Sequence, residues 1–288
     1  MGVRIWQICI FAKINQENDF QARFTPFQAM NDTLKARLIQ LADEYENAAF
    51  IEGDPSWFMH QVESPADREA MAFLAQSVSY GSRVQFLPRI QWMLERSEGH
   101  PDAWVRTGAF EKDFSGEGRE CFYRLYTCAT VRDFIRAYRQ LMNEHGSLGK
   151  YVAARADKDA KNAVAAICEW FATHGSTGVI PADTASACKR LCMFMRWMVR
   201  SGSPVDLGLW AGDIDRRSLI MPLDTHVLRQ AVGLGLLNSR TASMSAAIRL
   251  SRALAEIFPD DPLKGDFALF GYGVTAGSAG RPKLIAEQ

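Results

Sequence analysis

Apolar residues recur at intervals of three and four along most of this chain, which is the spacing of one face of an α-helix. The first such face predicts a helix capped by Asn31 or Asp32, and the second predicts a helix that starts at Ser64-Pro65. Further helices are predicted from their apolar faces, at 84–94, 131–144, 160–174, 184–200, 227–232, 243–258 and 266–274.

The segments between these helices contain little that predicts a sheet. Gly53-Asp54-Pro55 predicts a break followed by an ordered loop at 55–60, and residues 97–118, rich in Gly, Asp and Glu, predict a long connection. Residues 122–126 fit either a short strand or a helix. No run of Val and Ile bounded by turns indicates a parallel strand, so the pattern predicts an all-α protein.

The most regular helical pattern, at 184–200, brings basic side chains together. On a helical wheel Lys189, Arg196 and Arg200 share one face, either as a solvated surface or as contacts to phosphate. Asp224 stands at the N-cap of the following predicted helix, where the positive end of the helix dipole favours an ionised carboxylate. These two helix starts hold the candidates for chemistry, Lys189 and Asp224.

The length and the net charge of the chain restrict the kinds of partner that it can bind. Its 288 residues suffice for a sizeable core, and its 33 basic and 33 acidic residues cancel at pH 7, which argues against a surface that is basic throughout. A local basic patch remains compatible, because residues 184–229 hold seven Lys or Arg and four Asp. The sequence therefore permits a nucleic acid at one place on the surface.

The spacing of the cysteines indicates whether a metal site is expected, and the length of the apolar N-terminal stretch indicates whether it can span a membrane. The six cysteines, at 9, 121, 128, 168, 188 and 192, contain no Cys-x-x-Cys pair, so neither a zinc ribbon nor an iron–sulfur cage is predicted. Free thiols in a reducing cytoplasm are expected instead. The apolar stretch 1–14 is too short to span a membrane. We expect an N-terminal extension at 1–29, a helical domain at 30–275 and a polar tail at 276–288.

Two resemblances appear along the chain. The segment Pro222-Leu223-Asp224-Thr225-His226-Val227, with Arg229 and Leu234-Gly235-Leu236, resembles the helix-hairpin-helix DNA glycosylases. From Met30 to Val274 the chain also resembles an uncharacterised bacterial family, the domain of unknown function 2400. The motifs that carry this second resemblance are Asp54-Pro55, Ser186-Ala187-Cys188-Lys189-Arg190-Leu191, Arg196-Trp197-Met198-Val199-Arg200, Asp206-Leu207-Gly208-Leu209-Trp210 and Asp266-Phe267-Ala268-Leu269-Phe270-Gly271.

The glycosylase resemblance implies a two-lobed helical bundle that grips duplex DNA across a cleft and rotates a damaged base into a pocket. It implies that Lys189 attacks C1′ of the sugar as a Schiff-base nucleophile and that Asp224 assists electrostatically. The two residues are 35 positions apart, as in the widely spaced archaeal-type 8-oxoguanine glycosylases. The implied function is removal of an oxidised purine with AP-lyase cleavage, by a monomeric cytoplasmic enzyme without metal or cofactor.

The same resemblance implies a set of DNA or base contacts, at Arg190, Arg196, Arg200, Gln76, His226 and Arg229. A Schiff-base lysine must be neutral when it attacks, and the arginines beside Lys189 favour that form.

The chain departs from the glycosylase pattern at the hairpin. Glycosylases use glycine amides there to bind a phosphate and a monovalent ion, whereas Pro181-Ala182-Asp183-Thr184-Ala185-Ser186 contains no glycine.

Other interpretations stay open from the sequence. Asp224 also fits a plain helix cap, and Lys189 a solvated surface lysine. The chain would then be a catalytically inactive helix-hairpin-helix relative that binds DNA or another partner. A metal-dependent enzyme that uses Cys188, Cys192 and His226 is a third hypothesis.

Overall fold

The computed structural model describes residues 32–114, 119–175, 177–239 and 241–279, with side chains up to residue 275. Internal contacts divide the chain into two units, Met1–Arg37 and Leu38–Gln288, and the site described below lies within the second. The extension predicted at 1–29 lies outside the described residues, as does most of the predicted tail.

The described residues are mostly helical. Twelve α-helices are α1 (Asp32–Tyr45), α2 (Pro65–Val78), α3 (Arg83–Arg96), α4 (Pro101–Thr107), α5 (Phe110–Asp113), α6 (Cys128–His145), α7 (Leu148–Ala156), α8 (Ala160–Thr173), α9 (Lys189–Val199), α10 (Thr225–Gly233), α11 (Met244–Ala255) and α12 (Lys264–Ala279). Short 3-10 helices cover Ala48–Ile51, Pro55–His60 and Arg216–Ser218. The antiparallel strands β1 (Cys121–Tyr123) and β2 (Tyr126–Thr127) form the sheet of the described residues. The all-α prediction is confirmed.

Polar caps fix where several helices begin. Ser64, Thr127, Ser147 and Ser243 each accept a backbone N–H from the first turn of α2, α6, α7 and α11. Such a cap satisfies one of the donors that a helix leaves unpaired at its start. Of the helix starts predicted from the sequence, those at Ser64 and Ser243 are each within one residue of the observed ones.

α2 is the centre of the core and is buried along most of its length. The Phe73 ring packs against Tyr138 of α6 at 4.7 Å, against Phe194 of α9 at 5.3 Å and against Phe171 of α8 at 5.6 Å, between ring centroids. A second aromatic cluster joins α3, α4 and β1, through Trp92, Trp104, Phe110, Phe114 and Phe122. α9 is thus anchored on α2, which fixes the direction of its first turn.

The second cluster overturns the prediction of a long connection at 97–118. Within its described part the segment forms α4 and α5, and Trp104 and Phe110 are buried there. Burial of these aromatic rings outweighs the Gly, Asp and Glu content on which the loop prediction rested. The segment predicted as a loop at 55–60 is likewise a 3-10 helix, capped by Asp54.

Two helix predictions were wrong in detail. The helix predicted at 184–200 begins only at Lys189, because Cys188 has a left-handed backbone (φ 44°) that starts the helix after it. The third helix buries Phe86, Ile90 and Met93, whereas Val84, predicted on its apolar face, is 83% exposed. Periodicity located α3 correctly but chose the wrong edge of its face.

Candidate functional site

The first residue of α9 and the N-cap of α10 lie side by side. Lys189 Nζ is 3.6 Å from Asp224 Oδ2, and each side chain is about one third exposed, at 36% and 34%. The structure therefore brings together the lysine and the aspartate singled out in the sequence, although 35 residues separate them. Both remain open to a molecule that enters from solvent.

The two oxygens of Asp224 have different partners. Oδ1 accepts the backbone N–H groups of His226 and Val227, both at 2.9 Å, which is the usual geometry of a helix N-cap. Oδ2 is the oxygen that faces Lys189. Because the cap holds one oxygen, the other is kept pointing at the lysine, so the two suggested roles of Asp224 are compatible.

This pair forms part of the wall of a cavity of about 720 Å³. α3, α9, α10 and α12 contribute to the wall, together with the turn after α2 and the 3-10 helix at Ala48–Ile51. At Gly273 the backbone of α12 runs so close to α10 that a Cβ there would overlap the Gln230 amide. The lining is formed by Phe50, Asp54, Pro55, Ser79, Tyr80, Gly81, Arg83, Phe86, Lys189, Met193, Arg196, Pro222, Asp224, Thr225, His226, Val227, Gln230, Asp266, Phe270, Gly273 and Val274.

Aromatic rings cover one side of this cavity. Phe50 and Phe270 meet edge to face, with 5.0 Å between centroids. Phe270 is 37% exposed, which is unusual for a phenylalanine on a helix that is otherwise well packed. Tyr80 also lines the cavity, and its ring lies under the guanidinium of Arg190 at 5.3 Å. The cavity thus combines apolar flat surfaces with charged groups.

The carboxylate of Asp266 also lines the cavity that Lys189 and Asp224 line. Burial raises its pKa, and its ion pair with Arg196 acts in the opposite direction. Arg196 also donates from Nε to Asp206 Oδ1 at 3.2 Å. Burial raises the pKa of Asp206 as well, against the effect of the arginines around it. Arg196 therefore connects the cavity to a buried network of charges.

Arg200 belongs to the interior part of that network. It is 2% exposed, and its guanidinium donates to Asp206, to Asp261 (Nε–Oδ1 3.0 Å) and to Glu46 (Nη2–Oε1 2.7 Å). Of the two alternatives left open for Arg196 and Arg200, a solvated surface and phosphate contacts, the solvated surface is wrong, because both side chains are buried and paired with carboxylates. Arg200 has a structural role in place of the expected DNA contact.

The other four residues expected to contact DNA, Arg190, Gln76, His226 and Arg229, differ in how far they are exposed to solvent. His226 and Arg229 are exposed on α10, and His226 lines the cavity. Arg190 donates to the carbonyls of Ser77 and Val179, so its guanidinium joins α9 to neighbouring backbone. Gln76 is fully buried, and its side-chain amide has no hydrogen-bond partner among the described residues. Of the four, only His226 and Arg229 are exposed to solvent.

Phe50, Asp54 and Asp266 are among the cavity residues that the sequence analysis did not single out as site residues. Asp54 and Asp266 stand in the motifs Asp54-Pro55 and Asp266-Phe267, so a signal existed, but nothing separated them from the scaffold. Phe50 lies in the short 3-10 helix after α1, at a position that no sequence pattern marks as part of a site. Of the aromatic residues in the family motifs, Trp210 lies in the core and donates to Glu69 Oε2 at 2.8 Å, whereas Phe270 lines the cavity.

The metal hypothesis finds no support among the described residues. Cys188 and Cys192 are buried, whereas His226 is exposed on another helix. In that part of the chain no group of three or more His, Cys, Asp or Glu side chains is arranged to hold a metal ion. A search of the same residues for a helix long and apolar enough to cross a membrane found none.

The fold and the site define a class: a helical protein whose cavity is walled by a paired lysine and aspartate next to a buried arginine–carboxylate network. The chain belongs to the family described as "Protein of unknown function (DUF2400)", which matches residues 54–275. This match confirms the predicted resemblance to the domain of unknown function 2400. It contains the whole cavity lining except Phe50. A search of curated proteins and a search of solved structures found no match.

Proposed function

We propose that this protein is a DNA glycosylase with AP-lyase activity that removes an oxidised purine, such as 8-oxoguanine, from duplex DNA. The observation that carries the proposal is the 3.6 Å separation of Lys189 Nζ and Asp224 Oδ2 on the wall of a cavity. An amine next to a carboxylate is what excision through a Schiff base needs, since one attacks C1′ and the other stabilises positive charge on the sugar.

The cavity suits a base rotated out of the duplex. Its volume of about 720 Å³ lies within the range of small-molecule sites, roughly 300–1,000 Å³. Phe50 and Phe270 offer ring surfaces for a planar base, and Asp54 and Asp266 offer acceptors for its N–H groups. An oxidised purine carries an additional ring N–H, so a cavity with these two carboxylates favours it over the intact base.

Exposed cationic groups that suit the DNA backbone lie on the cavity wall and on α10. Arg83, which is half exposed, and His226 line the cavity, and Arg229 is exposed on the same helix as His226. The N-terminal turns of α9 and α10 meet at Lys189 and Asp224, so the positive ends of two helices point towards the same place. This local arrangement is compatible with the neutral charge of the whole chain.

The reaction then assigns one task to each group. Lys189 Nζ, as the free amine, forms a bond to C1′ while the glycosidic bond breaks, and the departing base takes up a proton. Asp224 stays ionised and stabilises the positive sugar as that bond breaks. Opening of the sugar ring yields an imine on Lys189, and loss of a C2′ proton then expels the 3′ phosphate.

Borohydride trapping tests the lysine directly. Reduction should link the wild-type protein covalently to a duplex that contains 8-oxoguanine and to one that contains an abasic site. Lys189→Gln should form no adduct, whereas Lys161→Gln, at an exposed lysine on α8, should form as much as wild type. No adduct of wild type with either duplex, or an undiminished adduct in Lys189→Gln, would refute the proposal.

A DNA-binding protein without catalysis is the second candidate. The glycine-free hairpin favours it, because that segment lacks the glycine amides that approach a phosphate closely. This candidate predicts duplex binding that weakens with salt and in Arg229→Ala, with neither trapping nor cleavage of any lesion. Binding curves at several salt concentrations, run beside the trapping assay, separate it from the enzyme.

A further inference from the structure

A short β-hairpin and the start of α3 carry exposed side chains to which no role has yet been given. Strands β1 and β2 are joined by a two-residue tip, Arg124-Leu125. Leu125 is 87% exposed and Val84, in the first turn of α3, is 83% exposed. These two are the most exposed large apolar side chains of the described residues. Together with Arg89 of α3, they and Arg124 are called the hairpin surface below.

Tyrosine contacts fix the hairpin against the turn that follows α2. The Tyr123 hydroxyl donates to the Tyr80 carbonyl, and the Tyr80 ring lies 5.0 Å from that of Tyr123 and 5.3 Å from that of Tyr126, between centroids. A Cβ on Gly81 would overlap the Arg124 guanidinium, so the tip and the turn are in close contact. Tyr80 and Gly81 line the cavity. The tip of the hairpin therefore borders the cavity.

The two arginines of the hairpin surface rest on aromatic rings. The Arg89 guanidinium lies 5.5 Å from the centroid of the Phe122 ring, and that of Arg124 lies 5.6 Å from the centroid of the Tyr80 ring. Both arginines are exposed, and neither forms an ion pair with a carboxylate of the described residues. A ring holds a guanidinium in place without neutralising its charge. The N–H groups of both arginines are thus available to an anionic partner.

The local charge balance favours a polyanion as that partner. Residues 81–92 and 119–127 hold four arginines and one glutamate, whereas basic and acidic residues cancel over the whole chain. Phosphates of a nucleic acid pair with arginines, and its sugars and bases offer apolar contacts to a side chain such as that of Leu125. Two exposed aliphatic side chains are too few for the apolar centre of a stable protein interface.

We propose that the hairpin surface binds duplex DNA beside the lesion and supplies the phosphate contacts that the glycine-free segment 181–186 does not. Arg89 and Arg124 contact phosphates, and Leu125 makes apolar contact with the nucleotides next to the extruded base. The inference rests on the proposed function for the identity of the ligand in the cavity. It concerns how the duplex is bound and is independent of the reaction of Lys189.

DNA binding by the full chain at several salt concentrations tests the two arginines. Each lost phosphate contact reduces the slope of log affinity against log salt by about 1, so Arg89→Gln and Arg124→Gln should each bind more weakly with that smaller slope. Arg155→Gln is the matched control, because Arg155 is exposed and lies 4.0 Å over the Tyr151 ring, on a helix that does not line the cavity. Unchanged slopes in both hairpin-surface variants, or an equal change in Arg155→Gln, would overturn the proposal.

A second variant tests the apolar contact. Leu125→Ser should weaken binding to a duplex with an abasic site more than binding to an intact duplex, because the leucine contacts nucleotides that an opened helix exposes. Ile39→Ser, at another exposed aliphatic side chain, should bind both duplexes as the wild type does. Binding to anionic phospholipid vesicles that is lost in Leu125→Ser, with DNA binding unchanged, would assign the hairpin surface to a membrane and overturn the proposal.

Borohydride trapping of the same proteins separates this proposal from that of the enzyme. DNA binding that depends on Arg89 and Arg124, without a trapped adduct in the wild type, refutes the catalysis and supports the hairpin surface. A trapped adduct in the wild type, with arginine variants that bind DNA as the wild type does, refutes the hairpin surface and supports the catalysis. A wild-type protein that binds no DNA refutes both.

Discussion

Substitutions at Asp224 separate its two suggested roles, helix cap and electrostatic partner. Asparagine caps a helix about as well as aspartate but carries no charge, and alanine does neither. Asp224→Asn therefore keeps the cap bonds to the His226 and Val227 amides while it removes the charge that faces Lys189. Asp224→Ala removes both. The pair of variants tells which role matters to function.

The magnitudes follow from the geometry. Loss of an N-cap costs about 0.5–2 kcal/mol of stability, whereas an ion pair as exposed as this one contributes about 0–1 kcal/mol. Asp224→Asn should thus lose less than about 1 kcal/mol, and Asp224→Ala about 0.5–3 kcal/mol. If the carboxylate stabilises the sugar cation, both variants should slow excision by a similar factor, about 100- to 1,000-fold.

Thermal unfolding and single-turnover excision of 8-oxoguanine measure the two effects in parallel. Asp159, which caps α8 by accepting the Asn162 N–H at 3.0 Å, supplies the control. Asp159→Ala should lose stability as Asp224→Ala does and should excise at the wild-type rate. Full activity in a folded Asp224→Asn would show that Asp224 is only a cap, and the mechanism proposed here would then be wrong.

Two further predictions concern the network and the cavity. Arg200→Met removes the arginine partner of buried Asp261 and one of the two arginines paired with buried Asp206. It should cost about 3–5 kcal/mol in thermal unfolding, against less than about 0.5 kcal/mol for exposed Arg217→Met. The pKa of Asp206 is already raised, so protonation should relieve part of that cost, and the deficit should shrink as pH falls; a deficit that is constant with pH would contradict this. Phe270→Ala should weaken binding of lesion DNA about 5- to 100-fold by removing a stacking surface, and unchanged affinity in a titration would exclude that role.

The sequence predicted helices well where caps and periodicity agreed. Ser64 and Ser243 marked real helix starts, and Asp224 is the observed N-cap of α10. Prediction from the sequence failed where burial against distant residues determined the secondary structure. Pro101–Thr107 became α4 because Trp104 packs into an aromatic cluster, and no local pattern announces such a distant partner.

The start of α9 shows a different limit. The apolar pattern continues through 184–188, but Cys188 adopts a left-handed backbone, a conformation that a cysteine does not signal in sequence. As a consequence the helix begins at Lys189, which places that lysine at the positive end of the helix dipole. The site residues Lys189 and Asp224 came from motif resemblance, whereas Phe50 and Asp266 needed the three-dimensional structure.

The arginine prediction failed for a reason that bears on how the site is held. A helical wheel shows that Lys189 and Arg196 share a face with Arg200, but it does not show what covers that face. α12 covers part of it: Asp266 pairs with Arg196, which also pairs with Asp206. The Asp266 carboxylate, which lines the cavity, is therefore held in place by charged residues of the core rather than by a surface loop. Since an uncompensated buried charge is costly, this network resists rearrangement, so the geometry beside Lys189 is set before any ligand arrives.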